Sequence, residues 1–430
     1  MTATSTVLPA HATPVREGRR LSSAAAFYLQ ASVTMSFLAG SSAPTPLYPI
    51  YQAAWGFSSV TVTVVFGIYA LAVLGALLVV GRLSDHIGRR PVLFVSTLAQ
   101  ALAMLLFATA DGVSGLLIGR VIQGLATGAA VAAVGAGLID LDRARGTVAN
   151  SIAPIMGTAF GGLVGGLMVH YLPAPTHLVY AVFGAVFVAQ SVGVALMPES
   201  SRPRPGALAS LKPQFAVPAA VREPMLLAVP VLVATWALAG FYASLGPALV
   251  HRVFGFNASL FGGVALFVMA ASGAAAVLLM QRAEARTMLA SGATVLFAGV
   301  GLVLAALASQ SAALFFAGTA LAGMGFGAGF QGAIRSVMPF AAPHERAGVL
   351  SVAFVVSYLA MGVPAVIAGA LIAHGGDLLT TTRELGAVVM ALAALALLGT
   401  MARRPTIVRT STDHQAPPCP TSVSTTCPQP

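Results

Sequence analysis

The chain reads as twelve long apolar stretches separated by short polar breaks. They run 22–42, 58–80, 91–110, 113–138, 148–171, 176–197, 225–248, 258–280, 288–309, 312–337, 347–373 and 384–402. Most reach the roughly 20 apolar residues that cross a bilayer as a helix. In lipid each span must satisfy its own backbone N–H and C=O groups, so helices are the expected solution. The strict in–out alternation of a transmembrane β-barrel is absent. The first stretch is too long for a signal-peptide core and shows no small-residue cleavage site, so it is expected to remain as the first span. The pattern predicts an all-α membrane protein with twelve transmembrane helices.

Composition agrees: 57% of the 430 residues are hydrophobic, 8% are charged and mean hydropathy is +0.89. A soluble core does not need that much apolar sequence. The formal charge of +10 suggests nucleic acid until its placement is read. Of the 22 Lys and Arg residues, 19 fall on one side if the N-terminus is cytoplasmic. Only Arg252 and Arg383 fall outside, and Arg120 lies within a span. This positive-inside bias predicts both termini in the cytoplasm and supports twelve as the span count. Arginine outnumbers lysine and alanine is abundant, which points to a GC-rich bacterial genome and hence to an inner (plasma) membrane. Residues 1–20 form a polar cytoplasmic segment, and 403–430 are expected to be a disordered cytoplasmic tail rich in Pro, Ser and Thr. The tail holds both cysteines, Cys419 and Cys427, at a spacing that fits no common metal site.

Between the second and third spans lies Gly81-Arg82-Leu83-Ser84-Asp85-His86-Ile87-Gly88-Arg89-Arg90. A carboxylate at such a boundary can cap a helix N-terminus and pair with guanidinium groups. The run resembles the signature loop of the major facilitator superfamily of transporters, Gly-x-Leu-Ala-Asp-Arg-x-Gly-Arg-Arg/Lys. Ser84 stands in place of Ala and His86 in place of Arg. The resemblance implies two six-helix bundles with pseudo-two-fold symmetry, 21–197 and 225–402, joined by a cytoplasmic linker at 198–224. It also implies that Gly81, Asp85, Gly88, Arg89 and Arg90 latch the first bundle to the start of span 11, near Ala347-Gly348, in one conformational state. For Arg89 and Arg90, simple positive-inside anchoring is an equal rival. A shift of 201 positions aligns Gly124 with Gly325, Gly128 with Gly329 and Arg145 with Arg346, an internal repeat that supports the division.

Span 4 carries Gly119-Arg120-Val121-Ile122-Gln123-Gly124. An arginine inside a span is a functional hypothesis by default. The run is similar to the superfamily's Arg-x-x-Gln-Gly motif, which implies proton coupling through Arg120, Gln123 and Gly124. The rival is a structural strut in which Arg120 bonds carbonyls of a neighbouring span. No Asp or Glu lies in the middle of any span, so a proton carrier is hard to name; His170, His251 and His374 lie at outer ends. Span 5 holds Gly157, Gly161, Gly162, Gly165 and Gly166 at a spacing that lets helices approach closely. It resembles the exporter motif Gly-x-x-x-Gly-Pro-x-x-Gly-Gly, with Gly162 where that motif has Pro. Ordinary glycine packing is the rival reading.

The resemblance places a substrate cavity between the halves. Its candidate lining is Gln30, Thr34, Trp236, Tyr242, Phe330, Gln331, Phe354 and Tyr358. Such a set, aromatic with few fixed charges, suits a hydrophobic or weakly cationic substrate. The glycine run 323–329 lacks the preceding strand and following acid of a nucleotide loop, His344-Glu345 lacks the second His of a zinc helix, and no nucleophile elbow occurs. An enzyme, a cofactor and a bound metal are therefore not expected. The expectation is a monomeric secondary active exporter of a small drug-like molecule, driven by proton exchange. A metabolite importer or symporter of the same fold, and a non-transporting membrane sensor, stay open.

Overall fold

A computed structural model describes residues 20–213, 217–342 and 345–402. The segment before Arg20, the Cys419/Cys427 tail and His344 lie outside the described residues. Twelve long helices follow one another: α1 Ser23–Ser42, α2 Ser59–Val79, α3 Arg89–Ala108, α4 Val113–Leu141, α5 Arg143–Tyr171 and α6 Pro175–Ala195, then α7 Ala219–Ser244, α8 Ala258–Leu279, α9 Ala285–Ser309, α10 Ala312–Val337, α11 Arg346–Ala373 and α12 Leu378–Ala402. Among the described residues, α2 to α12 are the eleven helices long and apolar enough to cross a membrane. The first helix, α1, has no charge and spans 20 residues, but Gln30, Thr34 and five serines dilute its apolar character.

Helix starts follow local chemistry. The hydroxyl of Ser22 accepts from Ala25 N, and the Asp142 carboxylate accepts from Arg145 N, each satisfying an orphan donor of the first turn. Two boundaries differ from the hydropathy reading. Helix α5 begins at Arg143, not near 148, because Asp142 caps it. Helix α7 begins at Ala219, inside the stretch read as linker, and carries Arg222, Glu223 and Pro224 in its first turns. Hydropathy misses polar first turns, and Pro224 lies inside the helix, where its ring removes one intrahelical N–H bond.

In the first bundle α4 packs against α1, α2, α3 and α5, while α6 packs on α1 and α3. In the second bundle α10 packs against α7, α8 and α9, while α12 packs on α7 and α9. Two seams join the bundles: α2 with α11, and α5 with α8. Exchanging the halves converts one seam into the other, which is the pseudo-two-fold relation. Two short helices at equivalent places, Tyr48–Trp55 after α1 and Gly246–Phe254 after α7, repeat it. Each ends on a left-handed glycine, Gly56 and Gly255, with φ 66° and 67°. These helices lie at the far end of the molecule; the 81–90 loop and the α6–α7 connection mark the linker end.

Packing corrects the register of the internal repeat. Gly124 and Gly128 lie against α2 at Tyr69 O and Val73 O. The glycines of α10 that lie against α8, at Met269 O and Gly273 O, are Gly323 and Gly327. Gly325 instead meets Leu296 of α9. Sequence alignment slipped because the α10 run has a glycine at every second position.

The glycines of α5 divide between two neighbours. A Cβ at Gly157 or Gly161 would collide with the carbonyl oxygens of Met35 and Ala39 in α1, and one at Gly165 with that of Ala43, which caps α1. A Cβ at Gly162 or Gly166 would meet Leu266 and Ser259 O of α8, in the other bundle. Gly161→Ala is therefore expected to destabilise the protein by about 1–3 kcal/mol through overpacking. Gly75→Ala, where a Cβ meets nothing within 4 Å, is expected to be neutral or slightly stabilising. Thermal unfolding of both variants in detergent checks the contrast.

Candidate transport site

Arg120 sits in α4 at 1% exposure, walled by rings. Its guanidinium carbon lies 5.3 Å from the Tyr69 ring centroid, 5.7 Å from Phe107 and 5.8 Å from Tyr48. Arg120 Nη1 donates to Ser41 O at 2.9 Å and to Gln123 Oε1 at 2.7 Å, and Nη2 donates to Tyr48 OH at 2.5 Å. Gln123 Nε2 in turn donates to Gly40 O at 3.0 Å. Gly40 and Ser41 belong to the last turn of α1, whose carbonyls have no intrahelical donor. The negative end of the α1 dipole thus faces a cation. The geometry matches the strut reading: Arg120 and Gln123 tie α4 to the C-terminus of α1.

Magnitudes show why no acid is needed there. Insertion scales put a central Arg at about 2.5–3.5 kcal/mol. Hydrogen bonds to a charged group contribute about 1.5–3 kcal/mol each, and a desolvated cation–π contact contributes up to about 2 kcal/mol. Three such bonds and three rings exceed the penalty. Beside this cage, Tyr51 OH and Tyr180 OH lie 3.2 Å apart. Burial pushes the Tyr51 phenol up to about 12, so it stays protonated across physiological pH.

At the linker end, Arg89 is 7% exposed and gathers three partners. It bonds Ser84 Oγ at 2.7 Å, Asp140 of α4 at 3.2 Å and, through a short contact, Asp85. Asp85 therefore pairs within its own bundle here, not with the start of α11. The N-terminus of α3 is capped from a distance. Glu199, just beyond α6, accepts from Arg89 N at 2.8 Å and Arg90 N at 3.0 Å. Gly88, at φ 100°, makes the sharp entry, and a Cβ there would strike the Glu199 carboxylate. Gly81 likewise sits where a Cβ would strike Leu77 O. Sequence reading missed Glu199 because nothing local marks a cap 110 residues from its helix.

The cleft candidates separate into two groups. Trp236 of α7 lies 5.5 Å from Phe330 of α10 and 5.1 Å from Tyr358 of α11, ring centre to centre. Phe354 lies 6.5 Å from Tyr358. Trp236 and Tyr358 pack against Phe66 and Ala70 of α2 and Met361 and Ala365 of α11, at the seam between bundles. Gln331 Nε2 reaches Ser151 Oγ of α5 across the same divide, at 3.5 Å. Two candidates, Gln30 and Tyr242, point into a single bundle instead, and Thr34 is buried. Gln30 donates to Met197 Sδ at 3.4 Å and presses on Gly137 of α4. Thr34, one turn on, is 3% exposed. Tyr242 hydrogen-bonds Thr319 at 2.8 Å and stacks with Phe315. Helices apolar on every side do not reveal which polar residue faces a cleft.

Comparison with known proteins agrees with this architecture. The Major Facilitator Superfamily pattern matches residues 31–363. The chain belongs to that superfamily: it is a multi-pass membrane transporter, not an enzyme. It is 28% identical over 319 residues to the multidrug resistance protein MdtL of Klebsiella pneumoniae (strain 342), covering 69% of this chain and 76% of that one. It is 35% identical over 115 residues to the class C tetracycline resistance protein of Escherichia coli, covering 25% and 29%. Among solved structures it superposes on a bacterial homologue of the human lysosomal transporter Spinster, in an inward-facing and occupied conformation, with TM-score 0.68. Identity there is 13%, with 88% of this chain and 96% of that one covered. The human organic anion transporter MFSD10 matches with TM-score 0.64 at 17% identity, covering 89% and 99%.

Tyr48→Phe removes one acceptor from the Arg120 cage and leaves a buried guanidinium donor unsatisfied. Expected destabilisation is about 1–3 kcal/mol. A melting temperature equal to that of the parent would show that the Tyr48 bond contributes nothing.

Proposed function

We propose that this transporter exports small hydrophobic or amphipathic, drug-like molecules by alternating access, in exchange for protons. The observation that carries the reading is the aromatic wall of Trp236, Phe330, Phe354 and Tyr358 at the seam between the bundles. Such a surface offers stacking and apolar contact. Trp236 Nε1 is buried without a protein partner, so one hydrogen-bond donor is free for a ligand. The similarity to drug-resistance proteins favours export over the importer and sensor readings.

In this reading the linker end, with both chain termini, faces the cytoplasm of a bacterial inner membrane. The charges agree: Arg82, Arg89, Arg143, Arg202 and Arg286 all lie at that end. The far end is closed, with Thr45 Oγ1 donating to Ala243 O at 3.1 Å across the bundles and Gly369 of α11 pressed on Thr63 of α2. Asp85 held by Arg89 corresponds to a released latch, and outward opening would bring the 81–90 loop to the α11 start near Ala347-Gly348. Proton exchange rests on the likeness of Arg120, Gln123 and Gly124 to the family motif; because Arg120 has no carboxylate partner among the described residues, it would act by holding α1 rather than by carrying the proton.

Everted vesicles containing the protein should accumulate ethidium when a pH gradient is imposed, and a host lacking the gene should be more drug-sensitive. Trp236→Ala should lower uptake about tenfold, the scale of one lost aromatic stacking contact. Asp85→Asn should lower it without lowering membrane insertion. Uptake unchanged after the gradient is collapsed rejects antiport. Unaltered susceptibility together with no uptake rejects export.

A further inference from the structure

An open cavity of about 660 Å³ lies at the linker end, between the 81–90 loop and residues 200–204. That volume falls within the roughly 300–1,000 Å³ of small-molecule sites. Its charges do not cancel. Asp85 and Asp140 both line it, but both are engaged by Arg89. Arg82, Arg202 and Arg204 also line it, and among the described residues none of the three is in an ion pair. Counting Arg89 with its two acids, the lining carries an excess of positive charge. Ser200 and Ser201 also line the cavity. The walls are held in place: Arg204 N donates to His86 O at 2.8 Å, and His86 Nδ1 lies 3.0 Å from Pro205 O. Glu199 anchors the connection to α3 immediately before this point.

We propose that this cavity binds a phosphate-bearing anion, which bridges Arg82 of the loop to Arg202 and Arg204 of the connection. Arginine forks match phosphate oxygens in pairs, and three guanidinium groups drawn from two segments suit a group with several oxygens. A free phosphate and the phosphodiester of an anionic lipid headgroup share this chemistry, and basic clusters beside a membrane surface attract the latter. The bound anion adds a link between the first bundle and the α6–α7 connection. The site needs no assumption about transport direction or substrate, so it stands or falls independently of the export reading.

The test uses the full-length protein. Inorganic phosphate is titrated into it in phosphatidylcholine nanodiscs, and phosphatidylglycerol is titrated into it in detergent micelles, each followed by melting temperature. The pocket variant is Arg202→Gln with Arg204→Gln; both side chains are exposed, and the backbone bond to His86 is unaffected. The control is Arg143→Gln with Lys212→Gln, an equal charge loss at exposed positions outside the cavity. Saturable binding in at least one arm is expected, weakened about tenfold or more in the pocket variant through lost charge-assisted bonds. The control should change it by less than about twofold, as isolated surface charges do. Saturation by phosphate identifies a free anion, and saturation by phosphatidylglycerol alone identifies a lipid headgroup. No saturation in either arm, or equal weakening in both double variants, overturns the proposal.

Discussion

Direct approach of bare backbone on both sides of α5 is the contact on which the architecture depends. In lipid there is little hydrophobic drive between helices, so association rests on close packing. Gly157, Gly161 and Gly165 let α5 lie on the carbonyls of α1 and its cap, while Gly162 and Gly166 let it lie on α8 of the other bundle. One helix is thereby fixed within its own half and joined to the opposite half. At the second seam, α2 on α11, Gly369 makes room for the Thr63 side chain and Gly67 for Val366.

Charge is arranged around this frame so that the membrane interior stays nearly free of it. Loop arginines collect at the linker end, where Arg89 gathers Asp85 and Asp140 and where Glu199 neutralises the positive end of α3. Arg120 is the exception, and it is placed where the exposed carbonyls at the end of α1 offer a fixed negative pole. A residue that resembles a coupling element is at the same time a fastener. Any proton-linked change at Arg120 would be felt at the α1 terminus and at Thr45, which bonds across the bundles.

Span number, the 81–90 loop and the buried Arg120 were legible because each depends on a local property: apolar length, a ten-residue pattern, or a lone charge in an apolar run. Facing was not legible. Gln30 and Trp236 both looked like cleft residues, yet Gln30 turns toward Met197 while Trp236 lies at the seam. In helices apolar on all sides, periodicity gives relative positions on a face but not which face meets which neighbour. The Glu199 cap and the twofold use of the α5 glycines were hidden for a related reason, since both are contacts between segments distant in sequence. The start of α7 was misplaced because hydropathy treats Arg222 and Glu223 as loop although they sit in the first two turns of the helix.

The proposed alternating access has the two bundles rock about the α5–α8 and α2–α11 seams, opening one end as they close the other. The most direct test is pulsed electron paramagnetic resonance on paired spin labels, with Cys419 and Cys427 replaced. One pair sits at the linker end, at Arg143 and Arg346, and the other at the far end, at Ala54 and Gln310. Rocking predicts that a transported compound or a pH step lengthens one distance while shortening the other. Distances that change together, or an end that moves while its opposite stays fixed, would contradict it.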